Sequence, residues 1–382
     1  VTGHALPPER GSAAYRPRVG TWNTLAVGDN LAVLADLAAE GARFDLAYLD
    51  PPYNTGSALT YRDRTPSHEE WVAALRPRVE AVRAVLAPTG AVFVSIDDHE
   101  VARLRLLLDE VFGEEQFLAQ VVVNLNPKGR QLGPGFATSH EYLLVYAVDR
   151  SACALDASTP DTVDPADFPH HDEASGRAFR LLPLRNTNKK FNPTTARTLH
   201  FPLWGDPVTG RVATHPFGAA QEIEPVFGDG TPAVWRWSAP RVDERPDDLV
   251  CRVVKGRGGE RVDVYQRDWL HAGRRKKLRT VWLAEEVGST DTAVAELKAL
   301  VGPVFASPKP TGLLRRVLGT YPDDVRVLDP FAGSGTTGEA ALVHDRNAVL
   351  VDDNPEAIEV MVERLSRFEP VVHGGDQLRE TA

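Results

Sequence analysis

The amino-acid sequence predicts an α/β fold, a mostly parallel sheet flanked by helices and interrupted by an inserted second domain. Three observations lead there. The apolar run Phe44-Asp45-Leu46-Ala47-Tyr48-Leu49 reads as a buried strand emptying into the tight loop Asp50-Pro51-Pro52-Tyr53. Far downstream, Val325 to Phe331 is strand-like and runs into the small-residue loop Ala332-Gly333-Ser334-Gly335-Thr336-Thr337-Gly338. Between these blocks, about 151–300, the texture changes to Pro, Gly, Asp and Thr with only short strands, such as Arg252-Val253-Val254 and Val262-Asp263-Val264-Tyr265.

The first block carries a binding chemistry. Two consecutive prolines lock φ and remove two N–H donors, leaving rigid carbonyls beside a carboxylate and an aromatic ring. Asp50 and the Pro51 carbonyl can accept from an exocyclic NH2 while Tyr53 stacks on the face of a planar ring. A nucleobase drawn out of its helix is such a ring. The plainer alternative is a strand-ending turn with a surface tyrosine.

In the second block a helix follows the glycine loop, with Ala340, Ala341, Leu342 and Val343 as its apolar face. Ala348-Val349-Leu350-Val351 then reads as a buried strand ending at Asp352-Asp353. Asn354-Pro355 is a helix start, an N-cap side chain followed by proline at the first helical position. Ala357, Ile358, Met361, Val362 and Leu365 form the buried stripe of that helix. A strand–glycine loop–helix–strand–acid unit binds a nucleoside cofactor at the carboxyl edge of a parallel sheet. Gly333, Gly335 and Gly338 spell G-x-G-x-x-G, so a dinucleotide oxidoreductase is a rival reading. The Asp-Pro-Phe lead-in and the small polar residues favour a ligand without pyrophosphate, such as S-adenosylmethionine. A P-loop is excluded because no Gly-Lys-Ser/Thr follows.

Taken together, these motifs resemble an amino-methyltransferase of DNA in the permuted order, target-base motif before cofactor motif. More narrowly the chain resembles the Mod subunits of type III restriction–modification systems, which methylate adenine at N6. Val27-Gly28-Asp29-Asn30, the stretch Asp50 to Gly56, Trp71, Val92 to Asp98, Val111 to Glu115, Ser139 to Tyr146, Phe305, Lys309-Pro310 and Asp329 to Thr337 carry the similarity. It implies a Rossmann-like S-adenosylmethionine-dependent methyltransferase with a mostly parallel seven-stranded sheet and an inserted target-recognition domain. Asp50, Pro51, Pro52 and Tyr53 would hold the flipped base. Asp329, Phe331, Gly333, Ser334, Gly335, Thr336 and Thr337 would line the methionine part of the donor. Asp352 would take its ribose hydroxyls, Asp29 the amine of its adenine, and Lys309 would close over its methionine end. Asp353 is read as a solvent-facing neighbour. N4-cytosine methyltransferases share this motif order but usually carry Ser before Pro-Pro, so Asp50 favours adenine. A DNA-binding subunit that needs a partner, its methyltransferase site no longer turning over by itself, is the reading from another class.

Composition bounds the rest. The 382 residues suit one large catalytic domain and one smaller insertion, divided as an arm 1–20, catalytic halves 21–150 and 301–370, a recognition domain 151–300 and a tail 371–382. Cys153 and Cys251 form neither a metal spacing nor a disulfide framework, no metal site is expected, and a reducing cytoplasm of a prokaryote suits them. No apolar stretch is long enough to span a membrane.

A net charge of −10 is awkward for a partner of duplex DNA. Its distribution answers this, because Arg252–Arg279 holds ten basic and three acidic residues. Lys255, Arg257, Arg274, Arg275, Lys276 and Lys277 from this segment, with the patch Arg185, Lys189 and Lys190, are the candidate DNA contacts, although most charge runs are simply solvated faces. Trp235 and Trp237 are read as packing residues. The resemblance also implies a homodimer and a restriction subunit as partners. Type III Mod subunits are generally longer, so a chain with only a short tail after its last helix is expected to lack part of such a docking surface. The recognition sequence has no legible code here.

Overall fold

A computed structural model of the chain describes residues 24–55, 67–129, 135–161, 163–256, 259–302 and 308–374. Gly56, Arg257, Phe305, the arm 1–20 and most of the tail lie outside the described residues. The chain divides into two compact units, residues 1–159 with 277–382, and residues 160–276.

Among the described residues the first unit holds a nine-stranded sheet. In chain order its elements are β1 (Thr24–Val27), α1 (Asn30–Ala39), β2 (Phe44–Leu49), α2 (His68–Val85), β3 (Leu86–Ile96), α3 (Val101–Phe112), β4 (Phe117–Val123) and β5 (Glu141–Ala147). After the insertion come β6 (Val281–Trp282), α4 (Thr290–Val301), α5 (Thr311–Leu318), β7 (Arg326–Asp329), α6 (Thr336–Leu342), β8 (Asn347–Asp352), α7 (Pro355–Leu365) and β9 (Val371–His373). The spatial order is β6-β4-β5-β3-β2-β7-β8-β1-β9, and only β5 runs against its neighbours. The seven strands expected are therefore nine. The two additions, β6 and β9, are edge strands of two and three residues, too short to leave a period-two signal.

The central strands read as unbroken apolar runs because both of their faces are covered. In β3, Ala91 and Phe93 enter one buried cluster while Val92, Val94 and Ile96 enter the other. Leu46 and Tyr48 of β2 face the first cluster, Ala47 and Leu49 the second. Pairing of Val327 with Leu46 and Leu328 with Ala47 sets β7 parallel beside β2. The two predicted blocks, about 280 residues apart in the chain, thus end at the same edge of the sheet, with Asp50 following one strand and Asp329 closing the other.

The insertion is narrower than 151–300 at both ends. Ala154 and Asp156 donate to the carbonyls of Thr89 and Thr320, which ties that stretch to the first unit. On the far side β6 pairs with β4, and α4 packs in the same unit. The second unit is antiparallel, with a sheet ordered Leu249–Gly256, Gly259–Trp269, Ala178–Pro183, His170–His171 and a smaller one of Val212–Ala213, Leu203–Gly205 and Gln221–Ile223. Its core gathers Leu184, Leu203, Val264 and Cys251 around Trp235 and Trp237, which are 0% and 3% exposed. Both tryptophans are packing residues, as their sequence context suggested.

Candidate active site

The loop leaving β2 is braced from beneath. Trp71 on α2 donates its indole N–H to the Pro52 carbonyl (2.7 Å), and Asn54 takes a left-handed conformation at φ 59°. The Asn54 amide donates to Glu100 Oε1 (2.8 Å), a carboxylate with no exposed surface. Trp71, Asn54 and Glu100 therefore hold the shape of the loop. The Pro52 carbonyl is the anchoring point for Trp71.

Above that brace, four side chains meet. The Tyr53 hydroxyl lies 2.9 Å from Asp50 Oδ1 and 3.0 Å from Glu141 Oε2. Lys309 Nζ sits 2.9 Å from Asp50 Oδ1, 3.3 Å from Glu141 Oε2 and 4.8 Å from the centre of the Tyr53 ring. Burial pushes the Asp50 carboxyl up, opposed by the Lys309 ammonium. Burial also works against the Lys309 charge, but Asp50 and Glu141 outweigh it and hold that ammonium above the ordinary lysine range. Tyr53 is raised well above the ordinary phenol range by burial and by Asp50, so it stays a hydroxyl. Lys309, expected at the donor's methionine end, is placed here against Asp50. Proximity of the segment after residue 307 to the Asp50 loop is a tertiary fact that neither local pattern contains.

The glycine loop is shaped by backbone and by one buried cation. Gly333 and Gly335 have φ of 52° and 75°, and a Cβ on Gly335 would come within 2.7 Å of Met361 Cγ. The Gly333 N–H donates to Asp352 Oδ2 (2.8 Å), whose other oxygen accepts from the Asn354 backbone N–H (2.9 Å). Arg364 on α7, 2% exposed, pairs with Glu339 (2.7 Å) and donates to Ser334 Oγ (3.2 Å) and Thr336 Oγ1 (2.9 Å). Ser334 and Thr336 accordingly turn their hydroxyls inward onto Arg364. Arg364 was not legible as a site residue, yet it recurs three residues after Met361 on the apolar stripe, where a charge is a signal of a buried partner.

Asp329 caps β7 and is 2% exposed. Burial lifts its carboxyl to about 7, against the Thr337 hydroxyl and the Phe331 amide that bond it (3.0 Å for the latter), with Asp50 and Asp352 adding to the rise. Asp29 caps α1 through Ala32 N–H (3.1 Å) and pairs with Arg78 (3.0 Å). Arg78 also holds Asn30 (2.7 Å), whose amide reaches the Pro330 carbonyl (2.9 Å). The turns after β1 and β7 are thereby joined. Asp353 is exposed, as read from the sequence.

In the second unit the basic candidates separate into two groups. Arg185 bonds Asp263 (3.2 Å), and Arg274 bonds Asp268 (2.8 Å) and Asp161 (3.5 Å) while being 16% exposed. These two hold the unit's own acids, because arginine's planar fork suits bidentate carboxylate pairing. Lys189 pairs with Asp229 (2.6 Å) at the surface, while Lys190, Lys255, Arg275 and Lys276 are exposed, as is Lys277 at the boundary of the first unit. Among the described residues no cluster of three or more His, Cys, Asp or Glu could hold a metal ion, and no helix is long and apolar enough to cross a membrane.

A glycine loop and three strand-end carboxylates along the carboxyl edge of a parallel sheet define an α/β enzyme of the nucleoside-cofactor-binding kind. The chain belongs to the DNA methylase family, whose family model matches residues 44–363. It is 30% identical over 376 residues to the type II methyltransferase M.KpnI of Klebsiella pneumoniae, covering 93% of this chain and 86% of that one. It is 32% identical over 356 residues to the type III restriction–modification enzyme EcoPI Mod subunit of Escherichia phage P1, covering 83% of this chain and 54% of the relative. The StyLTI Mod subunit of Salmonella typhimurium is 28% identical over 352 residues, at 84% and 50% coverage. The chain spans about half the length of these Mod subunits.

Proposed function

We propose that this DNA methyltransferase moves a methyl group from S-adenosylmethionine to N6 of an adenine flipped out of duplex DNA, in restriction–modification or another DNA-marking system of a prokaryotic cytoplasm. The observation that carries it is the register of β2 against β7, which sets Asp50 and Asp329 at one edge of the sheet. Base chemistry and donor binding are thereby assigned to one edge of the sheet. The cradle fits such a donor: Gly333 and Gly335 at positive φ put no side chain between the loop backbone and a ligand, and the carboxyl groups of Asp329 and Asp352 stand at the adjoining strand ends. Once bound, the donor supplies an electrophilic methyl carbon on a sulfonium.

Asp50 and the Pro51 carbonyl hold the amino group so that its lone pair faces that carbon. The new N–C bond forms as the C–S bond breaks, with the electron pair of the broken bond remaining on sulfur. The nitrogen then carries a positive charge, and its proton passes to Asp50. Positioning and stabilisation of this charge supply most of the acceleration. Adenine rather than cytosine rests on Asp50 preceding the prolines and on the likeness to Mod subunits. Recognition is assigned to unit 160–276 with its exposed basic residues. A homodimer and a restriction subunit are the partners that the Mod likeness suggests.

The test is incubation of unmodified DNA with purified protein and S-adenosylmethionine, followed by mass spectrometry of the nucleosides and modification-sensitive sequencing. N6-methyladenine at a fixed motif supports the reading, N4-methylcytosine alone refutes the choice of base, and neither product refutes self-sufficient catalysis.

A further inference from the structure

Asp50, the acceptor assigned to the base's amino group, is already engaged by Lys309 at 2.9 Å. Lys309 and the Tyr53 hydroxyl both lie on Oδ1, so an amino group that bonds this oxygen competes with an ammonium, whose charge-assisted bond is stronger than a neutral one. The exchange is possible only if that ammonium keeps another anionic partner. Stranding a buried lysine without one is costly.

Glu141 is that partner. It opens β5, is 17% exposed in its side chain, and places Oε2 at 3.3 Å from Lys309 Nζ and 3.0 Å from the Tyr53 hydroxyl. The same two donors therefore lie between two carboxylates. Tyr53 has one hydrogen and two acceptors in reach, so it too can serve one carboxylate while the other is occupied. We infer that Glu141 is a positioning residue: it receives the Lys309 ammonium and the Tyr53 hydroxyl when the base's amino group takes Asp50. This rests on the methyltransferase reading above and names the residue that makes Asp50 available.

A charge argument runs the same way. Two carboxylates against one ammonium leave the cluster one negative charge in excess, which favours a nitrogen that turns cationic during methyl transfer. With glutamine at 141 the cluster is neutral, and among the described residues Lys309 keeps only Asp50 as an anionic neighbour. Among the described residues, the ionisable groups that act on this cluster besides its own four members are Tyr48 of β2 and Asp329 of β7.

The experiment compares wild type, Glu141→Gln and Glu141→Asp on a duplex containing the mapped methylation site. Single-turnover methyl transfer is expected to fall about tenfold to a hundredfold in Glu141→Gln, with partial recovery in Glu141→Asp. S-adenosylmethionine affinity should stay within about twofold of wild type, because Glu141 acts on the base side. A duplex with 2-aminopurine at the target position should still show its fluorescence rise with Glu141→Gln, since that ring lacks the 6-amino group and needs no exchange at Asp50. Wild-type transfer by Glu141→Gln would overturn the inference. So would loss of both the fluorescence rise and donor binding, which would make Glu141 a scaffold residue. Absence of methylation by wild type itself would instead refute the self-sufficient catalysis on which this inference rests.

Discussion

The two units of this chain are built on opposite principles. In the sheet unit, strands buried on both faces carry long apolar runs, and polar side chains are concentrated at strand ends, where Asp50, Asp329 and Asp352 sit. In unit 160–276 the apolar core is small, and it is supplemented by arginines packed on acids and aromatic rings. Arg180 and Arg274 converge on Asp268 (each 2.8 Å), Arg177 stacks on Trp269 at 4.5 Å, and Arg252 on Tyr265 at 4.7 Å. The lesson is that a basic residue reads as a nucleic-acid contact from sequence yet can be structural. Arg274 holds carboxylates while its neighbours Arg275 and Lys276 are exposed.

The contrast can be broken most decisively at Asp50. Asp50→Ala should lower methyl transfer about 10²–10⁴-fold with unchanged melting temperature, because that residue works at a strand end and not in a core. A comparable loss of stability would mean that the sheet unit does not separate function from packing. Next in size, Trp235→Ala should destabilise the small core by about 3–5 kcal/mol. Hydrogen exchange should register the loss in 160–276, with donor affinity preserved; uniform loss across both units would merge them into one cooperative body.

Smaller in energy, Gly335→Asp forces a side chain onto φ 75° and against Met361, and is expected to abolish donor binding by calorimetry. Retained binding would remove the glycine loop from the donor site. Asp329 sharpens the comparison through pH. Its folded carboxyl is raised to about 7 from an ordinary 3.8, so the folded state binds the proton more tightly. Its contribution therefore weakens stability as pH rises from about 4 to about 7. Melting temperatures of wild type and Asp329→Asn should diverge across that window, with the shallower slope in the variant. Parallel slopes would show that the burial seen here does not control the proton. Least of all, Lys276→Gln should reduce the salt slope of DNA binding by about one, whereas an unchanged slope would return that lysine to the solvated surface.

Much of the site was legible locally. Asp50 to Tyr53 and Asp329 to Gly338 announce themselves because strand ends, prolines and glycines obey short-range steric rules. The N-cap at Asn354 is equally local, and its side chain does accept from Glu356 N–H at 3.0 Å. Glu141 and Glu100 lay unmarked as site residues, since the loop residues they bond, Tyr53 and Asn54, lie more than 40 residues away. Arg364 stayed hidden for the same reason, its acceptors lying 25 to 30 residues back.

By itself, then, the amino-acid order determined which segments are strands, where the glycines and prolines bend the chain, and which side chains stand at those bends. Those outcomes follow from φ restrictions and burial periodicity, which act over a few residues. The tertiary structure alone decided that β2 lies beside β7, that Lys309 meets Asp50 and Glu141 together, and that Arg274 closes on Asp268. Such pairings depend on sheet order and on the cost of leaving a buried charge without a partner, and neither is encoded at a fixed sequence spacing.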